Sequence, residues 1–441
     1  MKQYDMIKKS FVKLNRLLIY RNVLQDPILN EIIKLIGDLN KFIKEEHYNR
    51  YYNLCSQLLQ EAEKEKYQGD LLQNYLLKLI YTDNNPFTIA SENGMEAINS
   101  SLYGAALHDI KILKEVFKYT LSDIGVIIGV GEISFISHYS PENKNELKLK
   151  NYQKLKFSFS KDTAEATLNL LIEQYNKYGS GLLFEFKAFK WDSFTGLTGI
   201  KDPDPIIFED LIGYNNQKKK LIKNTESFLK GNTANNILLF GDSGTGKSSS
   251  VKALVNMYAE AGLRLVEIYK DHLKDLPEII TTLKDRGLYF IIFLDDLSFE
   301  DFETEYKYLK AVIEGGVEGR ADNILFYATS NRRHIVKEKW DERNQLAEVH
   351  ENDALQEKLS LAERFGITIT YLAPDQEKYV EIVQGLAEKN NLNISRNELI
   401  KEAKQWELWH NGRSGRSAQQ FINYLLSENT SKKDEFFDRN S

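Results

Sequence analysis

Apolar residues recur three or four positions apart through residues 1–125, the spacing that places them on one face of an α-helix. Ile28, Ile32, Ile36, Leu39 and Ile43 form one stripe, and Leu71, Leu72, Tyr75, Leu76, Leu79 and Ile80 form another. Asp26 before Pro27 marks a helix start, because the carboxylate accepts from free backbone amides and proline fits the first helical position. From Asp123 the pattern shortens. Val126-Ile127-Ile128 and the alternation Leu155, Phe157, Phe159 predict short strands around a polar turn at 140–145. A helix is expected over 163–177, then a turn at Gly179-Ser180-Gly181 and the aromatic run Phe184, Phe186, Phe189, Trp191, Phe194.

Lys201-Asp202-Pro203-Asp204-Pro205 reads as a boundary, since two X-Pro bonds disfavour helix and extend the chain. Beyond it, strand and helix alternate. Strands are expected at 236–240, 263–268, 289–294, 323–328 and 367–371, with helices between them that include 247–259 and 303–314. Five strands in this rhythm predict an α/β fold with a parallel five-stranded sheet covered by helices. After Pro374 the pattern is helical again, at 376–389, 396–410 and 417–428. The expected organisation is a mainly helical N-terminal domain with a few strands over 1–200, an α/β domain over 204–373, a helical lid over 374–428 and a polar tail over 429–441.

Composition narrows the class. The chain is 42% hydrophobic and 28% charged, which suffices for packed cores without covalent staples. A single cysteine, Cys55, rules out an intramolecular disulfide and paired-thiolate zinc sites, and no run approaches the ~20 apolar residues of a membrane helix. With no secretory signal pattern at the N-terminus, a cytoplasmic protein without membrane attachment is expected. Lys and Arg number 25 against 24 Asp and Glu in residues 1–200, a balance of +1, and 33 against 40 in residues 201–441, a balance of −7. Neither half has the basic excess of a dedicated nucleic-acid binder. Lys218-Lys219-Lys220 reads as a solvated helix face.

The chemistry concentrates in Gly241-Asp242-Ser243-Gly244-Thr245-Gly246-Lys247-Ser248, followed by Ser249, a full match to G-x-x-x-x-G-K-[ST]. Glycines let the backbone curl so that successive N–H groups face phosphates, while the next helix presents its positive end. Lys247 reaches the β- and γ-phosphates, and the Ser248 hydroxyl is of the type that ligates magnesium. A second element must hold the metal. The apolar stretch at 290–294 ends in Asp295-Asp296, where Asp295 fits a magnesium-shell carboxylate and Asp296 a group that polarises an attacking water.

These motifs and their order resemble an AAA+ P-loop ATPase module. Phe208-Glu209-Asp210-Leu211-Ile212-Gly213-Tyr214 resembles the segment that packs against adenine, which implies nucleotide contact at Ile212, Gly213 and Tyr214. Tyr327-Ala328-Thr329-Ser330-Asn331 resembles sensor 1, implying that Asn331 touches the γ-phosphate or the attacking water. Leu361-Ala362-Glu363-Arg364-Phe365-Gly366 resembles the arginine-finger box, so Arg364 is expected to reach a neighbouring subunit's nucleotide. Gly412-Arg413-Ser414-Gly415-Arg416-Ser417-Ala418 resembles sensor 2, with Arg416 the better fit because it directly precedes the helix. The match is closer still to an uncharacterised bacterial AAA+ ATP-binding family of unknown function, over about residues 200–428.

The resemblance implies an ATPase using ATP and Mg2+, with Lys247, Asp296, Asn331, Arg364 and Arg416 in catalysis and Ser248 and Asp295 on the metal. A finger acting in trans implies a homo-oligomer, ring or helical, that remodels or loads a protein or nucleic-acid client through residues 1–200. The alternative is a nucleotide-gated loader or adaptor on nucleic acid with little intrinsic hydrolysis. Asp295-Asp296, where many such modules have Asp-Glu, and Arg332-Arg333 lean towards it.

Overall fold

The computed structural model describes residues 2–39, 43–131, 133–142, 146–297, 308–309, 312–313, 321–331, 364–409 and 412–438. The expected helix at 303–314 falls largely outside them, as do Arg332 and Arg333. The chain divides into two compact units, one up to Glu185 together with Arg286–Leu288, the other from Phe186 to Asp285 and from Tyr289 onward. The division lies ahead of the boundary expected at Lys201–Pro205, because residues 188–199 enter the second unit's sheet.

The first unit is helical. Asp26 caps the helix Pro27–Asp38 by accepting from the Leu29 amide, and its Ile32, Leu35 and Ile36 are buried in a core with Tyr20, Leu72, Phe87 and Tyr175. The strands expected at 126–128 and 155–159 are helices instead, Leu121–Ile128 and Glu146–Lys161. Thr120 and Asp123 form a reciprocal capping box that starts the first, and Gly129 ends it in the left-handed conformation. In the second, Leu155 and Phe159 are buried four positions apart while Phe157 is 62% exposed, a helical pattern that also reads as alternation over five residues. Arg286 and Gly287 belong to this unit through Glu92, which is fully buried and accepts from Arg286 Nε at 2.7 Å and from the Ser180 amide at 2.7 Å. A buried carboxylate is tolerable only when paired and hydrogen-bonded in this way.

The second unit is built on one seven-stranded sheet rather than five strands. β1 (Ala188–Asp192) and β2 (Gly196–Gly199) form an antiparallel hairpin at one edge. β3 (Ile237–Gly241), β4 (Leu263–Glu267), β5 (Tyr289–Leu294), β6 (Ile324–Asn331) and β7 (Ile367–Tyr371) correspond to the five expected strands and run parallel. The order is β2-β1-β4-β5-β6-β3-β7. Strands such as β5, with Phe290 to Leu294 all buried, carry the continuous apolar runs of a sheet covered on both faces. β3 sits between β6 and β7 although it precedes both in sequence, so ligand-binding loops are expected at its carboxyl end, where neighbouring connections diverge. Helices Gln376–Lys389, Arg396–Trp409 and Gly415–Asp438 follow, with a core of their own in which Tyr379, Ile382, Val383 and Leu386 meet Phe421 and Ile422.

Candidate functional site

β3 ends on Gly241, whose φ of +140° leaves the range of ordinary L-residues. A Cβ built there would lie 1.9 Å from the Tyr371 carbonyl oxygen of β7, so only glycine lets the two strands approach before the loop turns away. Asp242 stitches the start of the loop, donating its amide to that same carbonyl at 2.9 Å and accepting from the Ala373 amide at 2.7 Å. Gly244 and Gly246 are left-handed at +73° and +90°. Gly246 stands at the N-cap of the helix Lys247–Tyr258 and has no side chain with which to cap its amides, which leaves that positive end to an anion.

Lys247, only 6% exposed, donates to the carbonyls of Gly241 at 2.9 Å and Asp242 at 2.7 Å and to Asn331 Oδ1 at 2.9 Å. Burial lowers its pKa, against the opposing pull of Asp242, Asp296 and Asp295. Asn331, at the end of β6, then donates from Nδ2 to Asp296 Oδ1 at 2.7 Å. The amide orientation follows from its partners, since an ammonium only donates and a carboxylate only accepts. On the far side of the loop, Ser248 Oγ and Thr329 Oγ1 each donate to Asp295 Oδ1 at 2.6 Å. Asp296 is itself left-handed, with φ +54°, which aspartate tolerates better than most residues.

The other end of this cleft is apolar. Phe208–Asp210 forms a short 3-10 turn, after which Ile212 packs so closely on the helix Gln376–Lys389 that a Cβ on Gly385 would meet it at 2.6 Å. Tyr214 stacks obliquely on Tyr371, ring centres 5.2 Å apart, and donates to the Leu372 carbonyl at 2.6 Å. Lys218 is half-buried beside the cleft with its pKa lowered by burial, and it donates to the Phe208 carbonyl at 3.2 Å. The solvated-face reading therefore fits Lys219 and Lys220 but not Lys218. The Arg416 amide bonds the Gly244 carbonyl at 3.3 Å and Arg416 lines the cleft, whereas Arg413 is paired with Glu407. Lys389 and Asp210 form an ion pair across the apolar end.

A cleft of about 820 Å³ thus gathers Ile212, Tyr214, Gly244, Lys247, Ser248, Asp295, Asp296, Asn331 and Arg416. Ser243, Thr245, Gly246 and Ser249 line it as well, while Gly213, at φ +78°, turns the chain beside it. Of the expected site residues, Arg364 is the one placed apart, next to the fully buried Phe365 and outside the cleft lining of its own chain. Sequence reasoning missed Thr329 and Tyr371. The signal for Thr329 was a polar side chain directly after the apolar run 324–328 of its strand, and for Tyr371 there was none, because its carbonyl and ring act through strand neighbours. Among the described residues no three His, Cys, Asp or Glu side chains cluster as a metal site, and no helix is long and apolar enough to cross a membrane.

A glycine-rich loop leads from a central parallel strand into a helix, opposite a strand that ends in paired carboxylates, which is the arrangement of a P-loop α/β protein. More particularly, the chain belongs to the family described as Protein of unknown function (DUF815), whose model matches residues 184–429, more than half of its length. Solved structures of RuvB variants from Thermotoga maritima are similar in part. One has 19% identity and a TM-score of 0.38 over 52% of this chain and 67% of its own. Two more have 19% and 20% identity and TM-scores of 0.37 and 0.38, again over 52% of this chain and over 66% and 68% of theirs. No curated protein matches the chain.

Proposed function

We propose that this chain is an ATPase that binds ATP with magnesium and couples its hydrolysis to remodelling or loading of a client. The observation that carries the reading is the convergence of Lys247, Ser248, Asp295, Asp296 and Asn331 at one end of a single cleft whose other end is apolar. The loop amides and Lys247 hold the phosphates, and Ile212 and Tyr214 face the base, with Gly213 turning the chain between them. Ser248 and Asp295 supply hard oxygen donors, the set that suits magnesium, and their approach to 2.6 Å supports a shared role. When bound, magnesium neutralises charge that develops on the phosphoryl oxygens.

Asp296 takes a proton from water as the water oxygen bonds to the γ-phosphorus and the bond to the ADP oxygen breaks, with Asn331 holding the carboxylate in place. Aspartate is one methylene shorter than the glutamate common at this position in AAA+ modules, so modest turnover is expected. Arg416, on the helical lid, adds positive charge near the phosphates. Arg364, outside its own chain's cleft, supports a finger that acts on a neighbouring copy in a ring or helical homo-oligomer. Residues 1–200 are the proposed client-binding part, and the cytoplasm the proposed site of action.

The test is ATP turnover by the wild-type chain, Lys247→Ala and Asp296→Asn. Turnover lost in both variants supports the assignment, and full activity in either overturns it. Sizing with a non-hydrolysable ATP analogue checks the trans finger, which a purely monomeric result removes. Stimulation of turnover by single-stranded DNA instead of a protein client identifies a nucleic-acid loader.

A further inference from the structure

We propose that Thr329 is a positioning residue whose hydroxyl orients the Asp295 carboxylate and anchors the Asp296 backbone, and thereby makes nucleotide binding depend on a divalent cation; this rests on the reading of Ser248 and Asp295 as the magnesium side of the cleft.

Thr329 lies near the end of β6, 2% exposed, after the apolar run Phe326, Tyr327, Ala328. Its hydroxyl makes two bonds whose directions are settled by their partners. The Asp296 amide can only donate, and does so to Thr329 Oγ1 at 2.8 Å. The one hydroxyl proton therefore goes to Asp295 Oδ1 at 2.6 Å. That same carboxylate oxygen receives the Ser248 hydroxyl at 2.6 Å, so two hydroxyls from different elements fix the orientation of Asp295. Bonds of this charge-assisted kind are stronger than neutral ones.

The backbone of the turn is held from the same strand. The Leu297 amide donates to the Thr329 carbonyl at 2.8 Å, and Ser330 Oγ donates to the Leu297 carbonyl at 2.8 Å. Asp296 is thereby kept in a left-handed conformation, φ +54°, that an unanchored chain would leave. One side chain on β6 thus sets the direction of Asp295 and the backbone of Asp296. Lys247 makes no hydrogen bond to Thr329, its partners being Gly241, Asp242 and Asn331.

The replacement Thr329→Val keeps the branched shape that suits a strand and removes only the hydroxyl. It leaves the Asp296 amide without that acceptor and Asp295 with one donor fewer. The consequence falls on the cation-linked part of binding.

The experiment measures the Kd of the full chain for a fluorescent ATP analogue, mant-ATP, in excess Mg2+ and in EDTA. The ratio of the two values is the magnesium gain. Thr329→Val is expected to hold its EDTA Kd within about twofold of wild type and to lose about tenfold or more of the gain. Thr329→Ser, which keeps the hydroxyl, is expected to retain it. A full gain in Thr329→Val overturns the proposal, and so does an equal loss in Thr329→Ser. Weakening in EDTA as large as that in Mg2+ also overturns it, since that is the mark of a merely structural role. If Thr329→Val fails to fold, Thr329→Cys, with its weak donor, is read against the same expectation. A wild-type chain that binds no mant-ATP, or gains nothing from Mg2+, brings down the ATPase reading itself.

Discussion

Asn331 stands between Lys247 and Asp296, its oxygen 2.9 Å from the ammonium and its nitrogen 2.7 Å from the carboxylate. A neutral amide with one donor end and one acceptor end keeps the opposite charges from pairing directly. In Asn331→Ala that spacer is gone, and Lys247 and Asp296 are drawn together and away from substrate. Turnover is expected to fall about a hundredfold, with a KM for ATP changed only a few-fold, since the loop amides still hold the phosphates. Steady-state kinetics separates the two parameters, and a rise in KM with unchanged kcat would remove Asn331 from the chemical step.

Gly241 is the second point of high sensitivity. With φ +140° and a built Cβ 1.9 Å from the Tyr371 carbonyl oxygen, Gly241→Ala collides with backbone rather than with a yielding side chain. A loss of more than ~3 kcal/mol of stability is expected, together with loss of nucleotide binding. Chemical denaturation checks the first and mant-ATP titration the second. A variant of native stability would mean that β7 separates from β3 at little cost.

The two arginines flanking the start of the last helix are expected to behave differently. Arg416 lines the cleft, whereas Arg413 pairs with Glu407 within the helical segment. Arg416→Ala should weaken ATP binding or turnover about tenfold or more, whereas Arg413→Ala should cost less than ~1 kcal/mol of stability and leave turnover near wild type. The reverse ranking in a turnover assay would exchange their roles.

Asp70 provides a pH test within the helical unit. Burial pushes its carboxyl up from 3.8 to about 6, despite the bonds it accepts from the Gln73 and Leu121 amides. The folded state therefore favours the protonated form. Its contribution to stability is fully present below the unfolded value near 4 and is lost as pH rises through about 6. The loss amounts to about 3 kcal/mol. Asp70→Asn retains a helix-capping oxygen and cannot ionise, so thermal melts between pH 4 and 7 should show a flatter slope than wild type. An unchanged slope would refute the assignment.

Much of the fold was legible because its signals are local. Asp26-Pro27 marked a helix start that the structure bears out, and each of the five apolar runs after Pro205 forms a strand within three residues of its expected limits. What failed was ambiguous within a short window. Leu155, Phe157 and Phe159 satisfy a two-residue period and, at their ends, a four-residue one, and burial of Leu155 and Phe159 alone decides for helix. The hairpin of β1 and β2 was hidden for another reason. Its residues join a sheet whose next strand, β4, begins more than sixty positions later, so nothing nearby in the chain announces that pairing.

The candidate site divides in the same way. The sequence alone determined the glycine-rich loop and its candidacy for phosphate, because the residue types that curl a backbone and carry the charge lie consecutively from Gly241 to Ser249. It also determined the candidacy of Asp295 and Asp296, because an apolar strand that ends in acids is a local pattern. Only the tertiary structure decided that Asn331 separates Lys247 from Asp296, that Thr329 bonds both the Asp295 carboxylate and the Asp296 amide, that Tyr371 requires glycine at 241, and that Arg416 rather than Arg413 meets the cleft. Each of these depends on strands and helices brought together from distant parts of the chain. Hydrogen-bond partners are chosen by distance in space, and separation along the sequence carries little record of that choice.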